Sequence, residues 1–326
     1  MKLSRTAGLI CAALAAAAGA VPSTSSGQAY PVKPVRVVVP SSAGGGTDIV
    51  ARIIMPELAK RLGQQVVIDN RPGAGTMIGI EAAAKSPADG YTLLMGLSTL
   101  AINSALKNNV PYDPVRDFAP ITVAVTSASI LVVHPSVPVK TLKELIAFAR
   151  ARPGQLNYAS AGAGTYPHMT YELFLSMAGL KMVHIPYKGT APAMIDMIAG
   201  QVATMAATVL TGLPHIRTGR LRPLGITSAK RNAIVPDIPT VAEGGLPGYE
   251  SVQWYAVLAP AKTPRDIIAR LHADLVQILH SPGIKKRFAA DAAETVGNTP
   301  EAFARHLRSE LDKWAKVARD AGIEKQ

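Results

Sequence analysis

The sequence has 326 residues, 48% hydrophobic and 17% charged, with 34 Lys and Arg against 22 Asp and Glu for a net charge of +12, and one cysteine. That length exceeds one ordinary hydrophobic core and suits two domains, while a lone cysteine excludes a disulfide framework or a thiolate metal site. The positive excess raises the question of a polyanion partner. However, Lys and Arg are scattered, runs stay as short as Lys285-Lys286-Arg287, and aromatics make no stacking pattern, so no nucleic-acid partner is expected.

Lys2 and Arg5 precede an apolar run over residues 9–18, followed by small residues, the pattern of a secretory signal peptide. The run is far shorter than the roughly 20 residues that cross a bilayer. Small-x-small sites end at Ala20 and Ala29, and cleavage after Ala29 is expected because ordered-looking sequence begins at Tyr30. Cys11 lies inside the leader behind a bulky Ile10, which argues against lipid anchoring. The mature chain, roughly 300 residues, is then cysteine-free and expected in the periplasm.

Residues 35–39 form a β-branched run ending at Pro40, and after a small-residue loop Val50, Ile54, Leu58 and Leu62 recur at helical spacing before Gly63. This reads as strand, glycine loop, helix. Pro56 inside the helical pattern removes a backbone donor and predicts a kink. A strand at 66–68, the turn Asn70-Arg71-Pro72-Gly73, a helix to residue 84 and a strand at 91–95 continue the alternation, which indicates parallel βαβ units. The apolar stretch 121–134, interrupted by Thr126-Ser127-Ala128-Ser129, reads as a crossover strand serving two sheets.

The alternation resumes with helix 142–151, strand 156–159, a second glycine loop, helix 168–178, strand 182–185, helix 192–198, strand 203–207, a helical segment at 214–218 and strand 221–226. A strand-like run at 251–258 carries the chain back, and amphipathic helices at 264–280 and 300–321 follow. The expected architecture is α/β, with two lobes joined by two crossover strands. Residues 30–128 and 249–326 form lobe 1, and residues 129–248 form lobe 2.

The two glycine loops echo each other. The first reads Ser42-Ala43-Gly44-Gly45-Gly46-Thr47-Asp48 and the second Ser160-Ala161-Gly162-Ala163-Gly164-Thr165-Tyr166-Pro167-His168. Each joins a strand to a helix, so glycine lets the backbone approach a ligand while the helix presents free N–H donors and partial positive charge. Ligands of open α/β sheets bind beyond the carboxyl ends of the strands, which places the two loops on opposite walls of a cleft. Neither loop matches a nucleotide P-loop. Gly73, Gly75 and Gly79 do not follow a strand directly, as a dinucleotide fingerprint requires.

Several runs resemble the substrate-binding receptors of tripartite tricarboxylate transporters, the Bug group. They include residues 30–36 (Tyr-Pro-Val-Lys-Pro-Val-Arg), the first glycine loop, Gly63-Gln64, the run from Asp69 to Gly75, and Asp89-Gly90-Tyr91-Thr92-Leu93-Leu94. Further along stand Pro186-Tyr187-Lys188-Gly189, Pro214-His215-Ile216, Thr227-Ser228-Ala229-Lys230-Arg231, the run from Pro236 to Glu243, and Leu258-Ala259-Pro260. The resemblance implies a type II periplasmic-binding-protein fold, with a ligand carboxylate held by backbone amides, hydroxyls and ordered waters. It assigns ligand contact to Ala43, Gly44, Gly45, Gly46, Thr47 and Asp48, to Ser160, Gly162, Ala163, Gly164, Thr165 and His168, and to Ser98 and Thr99. It also implies a monomer that hands its ligand to membrane permease subunits. Pro56 departs from the pattern and bears on helix geometry.

Taken singly, Asp48 at a helix start serves as a cap as readily as a ligand group, and His168 serves in packing as readily as in ligand binding. The histidines lack metal spacing. No G-x-S-x-G elbow is present, and Ser160 and His168 are too close along one loop for a separated triad, so neither catalysis nor a cofactor is expected. Arg71 and Lys188 follow strands and can reach the cleft or pair on the surface. A sensing receptor without transport would share all these features, and a secreted hydrolase is the weaker alternative. The ligand class stays open among di- and tricarboxylates, acidic amino acids and aromatic acids.

Overall fold

The computed structural model describes residues 30–320. The expected leader, its cleavage sites and Cys11 lie outside them. The chain runs through β1 (Val35–Val39), α1 (Gly46–Leu62), β2 (Val66–Asn70), α2 (Met77–Ala84), β3 (Thr92–Leu97), α3 (Thr99–Leu106) and β4 (Phe118–Val133). Next come α4 (Leu142–Arg150), β5 (Asn157–Ser160), α5 (Tyr166–Ala178), β6 (Val183–Pro186), α6 (Thr190–Ile198), β7 (Thr204–Thr208), α7 (Val209–Arg217) and β8 (Arg222–Ile226). Then β9 (Val252–Pro260), α8 (Arg265–His280), α9 (Pro282–Ala290), β10 (Ala293–Thr295) and α10 (Pro300–Asp320) follow.

Two sheet halves share one strand. In the first, β2, β1 and β3 are parallel, and β9 lies antiparallel between β3 and β4. In the second, β7, β5 and β6 are parallel, and β4 pairs antiparallel with β7 and β8. β4 changes partners at one step: residues up to Ala128 pair with β9, and Ser129 onward pairs with β7. The fold is thus α/β with two lobes, and β4 is one of the two crossovers.

The second crossover lies beside it. The Thr227 N–H donates to Ser129 O (2.8 Å), the Ser129 N–H donates to Thr227 Oγ1 (2.8 Å), and Thr227 Oγ1 donates to Ser251 O (2.6 Å). Hydroxyls thus complete the hydrogen bonding where a regular ladder ends, which buried backbone groups require.

Both sheet faces are covered. Val37 and Val39 pack with Val50, Ile54 and Leu58 of α1 and with Leu271 and Leu275 of α8, while Val38 points to the opposite cluster with Leu100, Trp254 and Phe303. The alternation of strand side chains makes this two-sided packing possible. Lobe 2 packs Tyr158, Tyr171 and Phe174 on one face and Ile130, Met197 and Met205 on the other. Trp254 and Trp314 both donate their indole N–H to Glu310 Oε2 at 3.0 Å, which satisfies a buried carboxylate and ties α10 to β9.

Several elements differ from expectation. α1 runs through Pro56, which sits on the exposed helix face, so the Arg52 carbonyl that loses its donor lies toward water. α7 begins at Val209 directly after β7, ahead of the expected start at 214. α3, α9 and β10 were not anticipated.

Candidate functional site

The strand-to-helix connections of both lobes meet at one cavity, a concave site between two walls of the kind small molecules occupy. Five helices begin at its wall. Gly46 opens α1, Thr99 opens α3, Thr165 precedes α5, Thr190 opens α6 and Thr208 precedes α7. The lining is completed by Ser41, Thr47, Thr76, Gln253 and Tyr255, with Leu97 and several prolines as apolar wall. Lys188 is the only ionised side chain among the described residues that line it.

Of the helices α4, α8 and α9, which begin away from the cavity, α4 alone has a side-chain cap. In α4, the Thr141 hydroxyl accepts from the Glu144 N–H (3.2 Å) and an acidic residue occupies the first turn, a conventional cap. At the cavity, no cap side chain bonds the first turns of α1, α3, α5, α6 or α7, and the first turns of α3, α5, α6 and α7 carry no acid. Apart from the Tyr166 N–H of α5, which donates to Thr99 Oγ1 (3.1 Å), these first turns have no side-chain cap, and the positive dipole ends of α3, α5, α6 and α7 meet no acid of their own. The buried hydroxyls of Ser41 and Thr76 also lack a protein partner, although buried hydroxyls ordinarily have one. Together these groups offer donors to an anionic ligand.

The acid in the first turn of α1 is Asp48, and it is engaged. Its carboxylate accepts from the Gly44 N–H (2.9 Å), Arg52 Nε (2.7 Å) and Asn70 Nδ2 (3.0 Å). Burial alone would raise its pKa, but the hydrogen bonds from Arg52, Gly44 and Asn70 hold it below the usual carboxylate value. Asp48 therefore braces the first loop from behind. Gly46 is tightly fitted, because a Cβ there would run into the Tyr255 hydroxyl and come within 3.3 Å of Thr208 Oγ1.

The second loop is braced similarly. Ser160 Oγ accepts from the Gly162 N–H (3.1 Å) and bonds His184 Nε2 (2.6 Å), while His168 Nδ1 accepts from the Gly164 N–H (3.1 Å). Thr165 Oγ1 donates to Gly162 O (2.7 Å). The two imidazoles stack with centroids 4.1 Å apart. Burial, with His184 and Lys107 nearby, pushes His168 down to about 3, and burial pushes His184 down to about 4. Both rings are neutral at neutral pH, and His168 must keep Nδ1 unprotonated to accept from Gly164.

Of the residues assigned to ligand contact, Gly46, Thr47, Thr99 and Thr165 line the cavity. Asp48, Ser160 and His168 stand behind it, and Ser98 Oγ accepts from the Trp254 N–H (2.9 Å) to anchor β9. Gly44 faces α6 with Ala191 Cβ 3.8 Å from its would-be Cβ, and Gly162 and Ala163 pack near Gly75. Ala43, Gly45 and Gly164 lie in the loops without lining the cavity. Sequence reading passed over Ser41, Thr76, Thr190, Thr208, Gln253 and Tyr255. Gly189-Thr190 repeats the strand-glycine-helix signature and was readable; Gln253 and Tyr255 arrive on β9 from far along the chain, without a local signal. Among the described residues, no cluster of three potential metal ligands occurs, and no helix is long and apolar enough to cross a membrane.

Residues 50–323 match the family described as the tripartite tricarboxylate transporter family receptor. The chain belongs to this family. Among the receptor's relatives, Protein BugT of Bordetella pertussis is 38% identical over 324 residues, covering 99% of both chains. An R. palustris protein solved with adipate is 37% identical with a TM-score of 0.88, over 90% of this chain and 99% of that one. MatC from Rhodopseudomonas palustris, solved with bound malate, is 32% identical with a TM-score of 0.85, over 88% of this chain and 99% of that one. The receptor thus falls in the Bug group, a family of solute-binding receptors.

Proposed function

We propose that this protein is an extracytoplasmic receptor that closes its lobes around a small carboxylate and delivers it to the membrane subunits of a tripartite transporter. The observation that carries the reading is the convergence of five uncapped helix N-termini from both lobes on a cavity that no acidic side chain lines. Such a cavity favours negative charge and recognises it through oriented N–H and O–H groups. Gly46, Thr47 and Thr99 supply the lobe 1 wall, and Thr165, Thr190 and Thr208 supply the lobe 2 wall. A ligand that touches both walls stabilises closure, because only the closed state offers both sets of donors.

Adipate and malate, held by relatives, define the probe series. Calorimetry against C4 to C6 dicarboxylates, their amides and their amines tests the reading with protein refolded free of carried ligand. Binding of at least one acid and none of its diamide analogue is expected. Equal binding of the diamide, or of the diamine, would overturn it.

A further inference from the structure

A groove runs along the outer seam between the lobes, beside the cavity and sharing Thr190 with it. Its lobe 1 wall is Gly44 and Ile49, and its lobe 2 wall includes Ala191, Met194, Ile195 and Pro214. Ile195 is 67% exposed, the highest value among the exposed large hydrophobics of the described residues. His215 and Arg220 also line the groove. Arg220 Nε donates only to the neutral Thr218 hydroxyl (3.2 Å), and among the described residues no carboxylate lies within ion-pair distance of it. The buried His215 Nδ1 has no hydrogen-bond partner. No acidic side chain lines the groove.

We propose that this groove is the docking site for an extracytoplasmic segment of the transporter's membrane subunit, one that sets an apolar side chain against Ile195 and Met194 and a carboxylate against Arg220. The inference rests on the receptor reading above. Charge complementarity selects the occupant: an apolar trough whose exposed cation is a guanidinium with no carboxylate partner suits an apolar residue neighbouring an acid. Because the walls come from both lobes and meet where Gly44 faces Ala191, the groove exists as a unit only when the lobes are closed. A membrane subunit that binds there distinguishes loaded from empty receptor, since each lobe alone presents only half of the surface.

The test is site-specific photocrosslinking in living cells that carry the transporter. p-Benzoylphenylalanine replaces Ile195 in the full chain, with Met177, exposed on α5, as the control position. A product containing a transporter membrane subunit, identified by mass spectrometry, is expected at 195 and not at 177, with several-fold higher yield when adipate or malate is supplied. A product with a second copy of this chain, or none with a membrane subunit, overturns the proposal. In parallel, Ile195→Asp and Arg220→Glu should each cut uptake of labelled acid at least tenfold while its Kd stays within twofold; unchanged uptake overturns the proposal. If the wild type binds no carboxylate, the receptor reading fails, and the crosslink at 195 still decides the groove.

Discussion

The backbone N–H of Tyr166, in the first turn of α5, donates to the hydroxyl of Thr99, in the first turn of α3, at 3.1 Å. The two residues belong to opposite lobes, both are fully buried, and Thr99 also lines the cavity. In the closure proposed above, this bond forms as the lobes meet, at the wall of the cavity. Thr99→Val keeps the shape and leaves the Tyr166 N–H unsatisfied in the closed state alone, a penalty of about 1–3 kcal/mol. Ligand affinity should fall about tenfold or more with the melting temperature of the ligand-free protein unchanged. An unaltered Kd by calorimetry would show that the bond does not contribute to closure.

Gly46 and Gly164 should respond differently to alanine. At Gly46 the obstruction is one side-chain oxygen, the Tyr255 hydroxyl, so Gly46→Ala should destabilise the fold and abolish binding, and adding Tyr255→Phe should restore thermal stability. At Gly164 the backbone has φ +74, and a Cβ would meet Asn103 Oδ1 at 2.9 Å and Lys107 Cε at 3.0 Å. The left-handed conformation itself costs an L-residue about 1–2 kcal/mol, so no partner substitution should fully rescue Gly164→Ala. Chemical denaturation of the two series distinguishes side-chain collision from backbone strain.

The stacked histidines make stability depend on acidity. His168 and His184 titrate near 3 and 4 in the folded protein but near 6.5 when unfolded. Between about pH 6.5 and 4 the unfolded chain binds more protons, so stability falls as pH falls, by up to about 1.4 kcal/mol per pH unit for each ring. Above pH 6.5 both states are neutral and this dependence vanishes. Urea midpoints at pH 7.5, 5.5 and 4.5 should show the decline, and His184→Gln should make it shallower. A variant with the wild-type slope would remove His184 as a source.

Lys188 should discriminate among acids by charge. It is the only ionised side chain lining the cavity among the described residues, whereas hydroxyls and helix N-termini can hold one carboxylate without it. Lys188→Met should weaken a dicarboxylate about tenfold or more and leave a monocarboxylate of equal chain length within twofold. Equal losses for both acids would place Lys188 at the first carboxylate.

Strand and helix alternation was legible because most elements bury one face and carry the matching period. α3 was not: of Thr99 to Leu106 all but Ser104 are buried, and a helix buried all round has no polar stripe to reveal it. α9 carried a readable signal, Ser281 followed by Pro282 at the first helical position. For the candidate site, the glycine loops were visible as local patterns that place Gly46, Thr47 and Thr165 at the cavity. Asp48, Ser160 and His168 could not be separated from ligand-facing groups, because a side chain that braces a loop has the same chemistry and spacing as one that binds. Gln253 and Tyr255 sit on a strand whose position follows from long-range pairing, which local sequence does not encode.

β9 lies between β3 and β4 in the first sheet half, yet it is translated long after both. A chain emerging from its N-terminus therefore holds the facing edges of β3 and β4 open until residues 252–260 arrive to fill the slot. The strand order thus acts as a timer, so that the sheet of lobe 1 is completed in one late, cooperative step once the C-terminal part of the chain is present.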